Sequence, residues 1–155
     1  VRKALERRAG EEADRRLDEE IVDLLIRENV VAVSNRLVEK VARSNMPELP
    51  PEDQVPAGER AEFAREVASL LEKHKAGARR AIQKLVLLTE IASREKLEPE
   101  GREIEAMRRA LRPREDRALS EEKKREEKER MTGEIRRLLR ERKVLHWIRE
   151  HSTVA

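Results

Sequence analysis

Residues 78–97, ARRAIQKLVLLTEIASREKL, constrain this chain more than any other stretch. Ala81, Leu85, Leu88 and Ala92 recur at i, i+4, i+7 and i+11, and Ile82, Val86 and Thr89 form a second row beside them. That period belongs to a helix, and an alternating strand pattern is absent. Leu87 and Ile91 widen the apolar surface beyond the roughly 100° stripe of an ordinary surface helix. A helix apolar on so many sides needs neighbours on more than one face. The segment is therefore expected to be the central helix, which the rest of the chain covers or leaves partly open.

The remaining residues offer little with which to cover it. Charged residues make up 45% of the 155 and hydrophobic residues 37%, with one Phe, one Trp and no Tyr. Long helices with solvent on two sides fit that balance better than a thick core, and regular Leu/Ile/Val spacing argues against disorder. The net charge is only +3, from 36 basic and 33 acidic residues, so the basic balance is a small excess. Interleaved signs such as Glu11-Glu12-Ala13-Asp14-Arg15-Arg16 suit solvated helix faces with i,i+4 pairs. The absence of cysteine excludes a disulfide framework and thiolate zinc sites. No apolar run approaches the roughly 18 residues of a membrane span, and no signal peptide is visible. Val1 begins within a helical pattern, so the chain is expected to be a fragment of a longer protein, forming one helical domain over residues 1–155.

Taken in order, the spacing predicts a first helix over Arg2–Glu28 with Leu5, Ala9, Ala13, Leu17, Ile21, Leu24 and Leu25 as its stripe. Asn29 is expected to stop it, and Val30–Val33 reads as a short extended connector. Ser34 caps a second helix, Asn35–Ser44, with Leu37, Val38 and Val41 facing inward. Pro47, Pro50, Pro51 and Pro56 forbid helix across residues 46–57. A third helix starts near Gly58 or Glu59, carries Phe63, Val67, Leu70 and Leu71, and runs into the central segment, with Gly77 a candidate kink. At 1.5 Å per residue, its roughly 38 residues would span about 57 Å, too long for a compact domain of this size to wrap. Pro99 is placed in the first turn of a fourth helix bearing Ile104, Met107 and Leu111, which Pro113 ends. Ser120 opens the last helix. Its Glu121–Arg130 segment has no apolar residue and should project into solvent, before Met131, Ile135, Leu138, Leu139, Leu145 and Ile148 restore a stripe beside Trp147. The class is all-α.

Catalytic chemistry finds little support. His146 and His151 are five apart, whereas metal-binding pairs on a helix need three or four, and His74 stands alone. No nucleophile elbow or phosphate-cradling glycine pattern occurs. Basic clusters at Arg108-Arg109, Arg112, Arg114, Arg117, Lys123–Arg125 and Arg136–Lys143 are interrupted by acids and lack aromatic platforms, so nucleic acid is not an expected partner. The wide apolar stripes carry two readings: intramolecular core, or surface that binds apolar segments of other chains.

The order of segments adds a family resemblance. LDEEIVDLLIRENVVAVSNRLVEKVARS, residues 17–44, resembles the start of the C-terminal domain of bacterial trigger factor, through Glu28-Asn29, the Val31–Ser34 connector and Leu37-Val38 with Glu39. AIQKLVLLTEIASREKLEPEGREIEAM, residues 81–107, resembles that family's leucine-rich helix with its Ile91-Ala92, Glu95, Lys96 and Leu97 ending. RRLLRERKVLHWIREHSTV resembles its closing long helix. The three segments fall in family order and together span about the whole chain. The resemblance implies an elongated helical body with two protruding arms, and a cytoplasmic, ATP-independent holdase that binds unfolded or nascent polypeptides in a cradle between them. It implies no cofactor and no enzymatic activity, since the family's prolyl isomerase domain would lie upstream of Val1. Ribosome contact would likewise belong to an N-terminal domain with no counterpart here. The proline-rich LPPEDQVP connector and the uniformly charged Glu121–Arg130 run depart from that pattern. The second of these places the expected client contacts at the apolar positions flanking the run. These are Leu85, Leu88, Ile91, Ile104, Met107, Leu111, Met131, Ile135 and Leu138. Methionine suits such a surface because its flexible thioether repacks around different partners. The alternative is a helical scaffold whose stripes are consumed by self-association, and a weak homodimer is compatible with either reading.

Overall fold

A computed structural model describes residues 2–111 and 120–152 of the chain, with side chains from residue 7 onward except at Glu52. Pro113, Arg112, Arg114, Arg117 and residues 153–155 therefore lie outside the described residues, as does the side chain of Leu5. Five α-helices are present and no strand occurs among the described residues, as the periodicity requires: α1 Arg2–Glu28, α2 Asn35–Ser44, α3 Arg60–Arg94, α4 Gly101–Leu111 and α5 Glu121–His151. The chain divides into two compact units, Val1–Leu87 and Leu88–Ala155, with the division falling inside α3.

In the first unit, α1 ends where Asn29 turns both its backbone N–H and its side-chain amide onto the Leu25 carbonyl, at 3.1 and 2.8 Å. Residues 7–17 of α1 are exposed throughout, and apolar burial begins only at Ile21, Val22, Leu25 and Ile26. The helix is thus sustained over its first half by propensity and by pairs such as Arg7–Glu11 and Arg16–Glu12. Each such pair is worth only about 0.3–0.5 kcal/mol. Helix α2 packs on α3 through a small cluster of Val38, Ala42, Leu71 and Ala78, joined by Val33, Val41, Met46 and Ile82. Leu37, expected to face inward, is instead exposed, because Val38 and Ala42 take the inner face. Ser34 occupies the N-cap position in extended backbone, but its hydroxyl makes no capping bond.

The prolines exclude α-helix from the 46–57 connector and leave room for one 3₁₀ turn, Glu52–Gln54. Val55 is tucked in behind it, and its carbonyl accepts from Arg60 Nε at 3.1 Å, setting the start of α3 one or two residues later than the spacing predicts. Helix α3 then runs 35 residues, about 52 Å, straight through Gly77. A single glycine removes no hydrogen bond, so it weakens a helix without breaking it.

The second unit comprises the end of α3 with α4 and α5. Helix α3 closes with Lys96 in the left-handed region at φ 57° and with the Leu97 N–H bonded back to the Ala92 carbonyl at 2.8 Å. This is the reversal that ordinarily uses glycine. Helix α4 begins at Gly101, two residues later than a first-turn Pro99 implies. Glu100 is its cap, receiving the Glu103 and Ile104 N–H groups, while its own N–H donates to Glu103 Oε2 at 2.7 Å. Pro99 therefore precedes the cap. Ser120 Oγ accepts the Lys123 N–H at the start of α5, and every residue from Glu121 to Arg130 is exposed apart from the half-buried Lys124.

The stripe expected along α5 is not continuous. Ile135 is buried with Met131 and Leu139 half-buried beside it, whereas Val144 and Leu145 are buried nine and ten residues on. Nine residues put Val144 about 180° from Ile135 while ten put Leu145 only about 80° from it, so the buried surface of α5 widens toward the C-terminal part of the helix.

Gly77 and Lys96 give opposite tests. At Gly77 a Cβ would meet nothing within 4 Å, so Gly77→Ala should stabilise the chain by about 0.5–1 kcal/mol. Lys96→Gly should stabilise it by about 1 kcal/mol through relief of the left-handed backbone. Urea unfolding of each variant checks both, and a loss of stability at either would contradict the helix geometry described.

Candidate functional site

Helix α3 presents one face every seven residues, and that face carries Leu71, Ala78, Leu85 and Ala92. Leu71, Ala78 and Ala92 are 8%, 1% and 0% exposed, but Leu85, between them, is 42% exposed. Val86, next to it, is also exposed. The row is thus sealed on either side of Leu85 and open at it.

The other expected contact residues separate into three groups. Leu88, Ile104 and Ile135 are 3%, 7% and 1% exposed and serve as core of the second unit, so they offer no surface in this conformation. Ile91, Met107 and Met131 are half-buried. Leu111 and Leu138 are exposed, each by half or more. Among the large apolar residues open to solvent, Leu17, Leu24, Val30, Leu37 and Val86 lie outside the expected set. Only Leu17 and Leu24 could have been noticed from spacing, since seven residues place them on one face of α1. Val144, fully buried, was likewise outside the expected stripe of α5.

Polar bridges frame the second unit. Arg140 donates from Nε and Nη2 to Glu98 Oε2 at 3.1 and 3.0 Å, and from Nη1 to Thr89 Oγ1 at 3.3 Å. One α5 side chain thereby ties both the last turns of α3 and the connector after it. Lys143 Nζ donates to Glu103 Oε2 at 2.7 Å, the same oxygen that caps α4. The Lys143 ammonium and the Glu100 N–H hold the Glu103 carboxyl below its ordinary value of 4.5, and desolvation opposes them only in part.

Several further cations pair with neighbours: Arg108 and Arg109 with Glu105, Lys124 with Glu121, Arg125 with Glu129 and Arg130 with Glu127. His146 lies 3.3 Å from Glu150, and His151 stacks on Trp147 with ring centroids 4.5 Å apart. Among the described residues no group of acids and histidines could hold a metal ion, and no helix is long and apolar enough to cross a membrane. The chemistry the surface offers is apolar contact within charged rims.

Two measurements follow from this geometry. Ile135→Ala should cost about 2–5 kcal/mol, while Leu138→Ala, three residues away, should change stability by no more than about 0.5 kcal/mol. Because folding lowers the Glu103 carboxyl, its contribution is complete above the unfolded value and is lost as pH falls through the folded one. Glu103→Gln should therefore be less stable than the parent at neutral pH, with the difference vanishing in acid below the ordinary value of 4.5. Urea midpoints across a pH series read both effects.

Among curated proteins and solved structures, none matches the chain. The family described as bacterial trigger factor protein (TF) C-terminus matches residues 1–150. That region is the chaperone part of trigger factor and is distinct from its isomerase. Five helices in the order read from the sequence, apolar side chains left open on α3, α4 and α5, and a match over nearly the whole length lead to one statement: the chain belongs to the family of bacterial trigger factor C-terminal domains.

Proposed function

We propose that residues 1–155 act as one ATP-independent, cytoplasmic client-binding module that holds apolar segments of unfolded or nascent polypeptides. The observation that carries this reading is the open position in the α3 row, where Leu85 and Val86 are exposed although Leu71, Ala78 and Ala92 on either side are buried. A leucine left uncovered in an otherwise sealed row is binding surface more readily than unfinished core, since covering it would yield roughly 1.5–3 kcal/mol. Leu111 and Leu138 supply further exposed apolar side chains, and Met107 and Met131 supply adaptable half-buried ones.

Leu88, Ile104 and Ile135 are left out of the proposed contact set because they are core. A few contacts of the stated size, less the ordering of a flexible client, give an affinity near −8 kcal/mol, about micromolar. Binding of that strength releases its client readily. The surrounding charges keep the uncovered leucines from driving self-association.

Light scattering of an aggregating test protein, with this chain in excess, measures the activity. The parent chain should suppress aggregation. Leu85→Asp with Val86→Asp should weaken client binding about tenfold while leaving helical circular dichroism unchanged. Unaltered aggregation in the presence of the parent would end the holdase reading. Sedimentation as an obligate dimer with no dye-binding surface would assign the open leucines to self-association.

A further inference from the structure

The connector between α1 and α2 has the features of a single β-strand with both edges vacant. Residues 30–34 run without turn or bend. Their side chains alternate as a strand's do: Val31 and Val33 are half-buried, with Val33 on the α2–α3 cluster, while Val30 and Ala32 are exposed. Among the described residues, no backbone N–H or C=O of Val30–Val33 makes a hydrogen bond.

Both ends of the segment are fastened to consecutive residues of α3. Arg80 grips Asp23 near the end of α1, with Nη2 and Nε at 2.8 and 3.0 Å from Oδ1. Arg79 Nη2 donates to Asn35 Oδ1, at the first residue of α2, at 2.8 Å. The connector is therefore held in place before anything pairs with it, which removes part of the ordering cost that a free loop would incur.

Its flanks add two more kinds of recognition. Leu24, Val30 and Leu37 are exposed large apolar residues lying within fourteen positions of one another. Arg36 and Lys40, one turn apart and adjoining Leu37 on α2, are exposed cations with no ion-pair partner among the described residues.

We propose that Val30–Val33 is a strand-acceptor edge, onto which an extended apolar polypeptide segment bearing an acidic residue adds by backbone pairing. Backbone hydrogen bonds supply affinity that is independent of sequence, the exposed apolar residues favour β-branched and aromatic side chains, and Arg36 with Lys40 favour the acid. An amphipathic helix could satisfy none of the open backbone groups. The inference deepens the client-binding reading above and names the client conformation.

The probe is a heptapeptide of alternating Val and Thr ending in Glu, added to the full chain and followed by amide hydrogen exchange and calorimetry. Binding should protect amides in the 30–33 segment. The same peptide N-methylated at alternate amides, which keeps its side chains and loses one hydrogen-bonding edge, should bind about five- to tenfold more weakly. Ala32→Pro removes a donor at an exposed position and should weaken the unmodified peptide similarly. Arg36→Glu with Lys40→Glu should transfer the preference to a peptide ending in Lys. Equal binding of the N-methylated form, or binding without protection of residues 30–33, would overturn the proposal. If the peptide does not bind while aggregation suppression persists, the strand-acceptor inference falls and the holdase reading stands; if suppression is absent too, both fall.

Discussion

One face of α3 supplies buried residues to each of the two units, and the size of those residues governs how the helices pack. Ala78 in the first unit and Ala92 in the second are almost completely buried, as is Ala42 on α2. Alanine at a buried position removes the side-chain bulk that would separate two backbones, but contributes little apolar area of its own. Helices can therefore seat closely on α3 without a large hydrophobic payload, which is what a chain with so many charged residues requires. In the first unit Leu85 lies on the same row as Ala78 and stays open.

With so little apolar area, location is set to an unusual degree by polar contacts at defined points. Arg79 and Arg80 fix the two helices that flank the first connector, and Arg140 and Lys143 fix the α3–α4 connector and the cap of α4. These bridges lie partly in solvent, so each is weak energetically. Their role is positional. By contrast, the pairs along the exposed half of α1 and along Glu121–Arg130 join residues of a single helix and position nothing else. They keep helix in place where no core supports it, and salt screens them most effectively.

The helices were legible in the sequence because their signals are local. Asn29, Ser120, the prolines of the 46–57 connector and the 3.6-residue period act over a few residues and set boundaries nearly where they occur. Which apolar residues are buried was less legible, because a stripe says where neighbours could pack and not where they do. Leu37 and Val38 are adjacent, as are Val22 and Asp23 near Leu24, and a change of helix rotation by one position exchanges core for surface. The same limit applied to the expected contact residues. Leu88, Ile104 and Ile135 carry the same apolar character as Leu85, Leu111 and Leu138, but only neighbours distant in sequence decide which three are covered. Lys96 was hidden for a different reason: the backbone reversal after α3 uses a residue with no sequence signature for positive φ.

The widening of the buried surface along α5 bears on how this family can vary. Ile135 and Val144 must keep about half a turn of helical phase between them to stay inside. One inserted or deleted residue between them would rotate one face against the other by about 100° and expose core on one side. No such phase condition governs Glu121–Arg130, where every side chain but the half-buried Lys124 is exposed. Lineages should therefore lengthen or shorten that segment freely while holding the spacing from Ile135 to Val144 constant, and the boundary between the two regimes should fall near Met131.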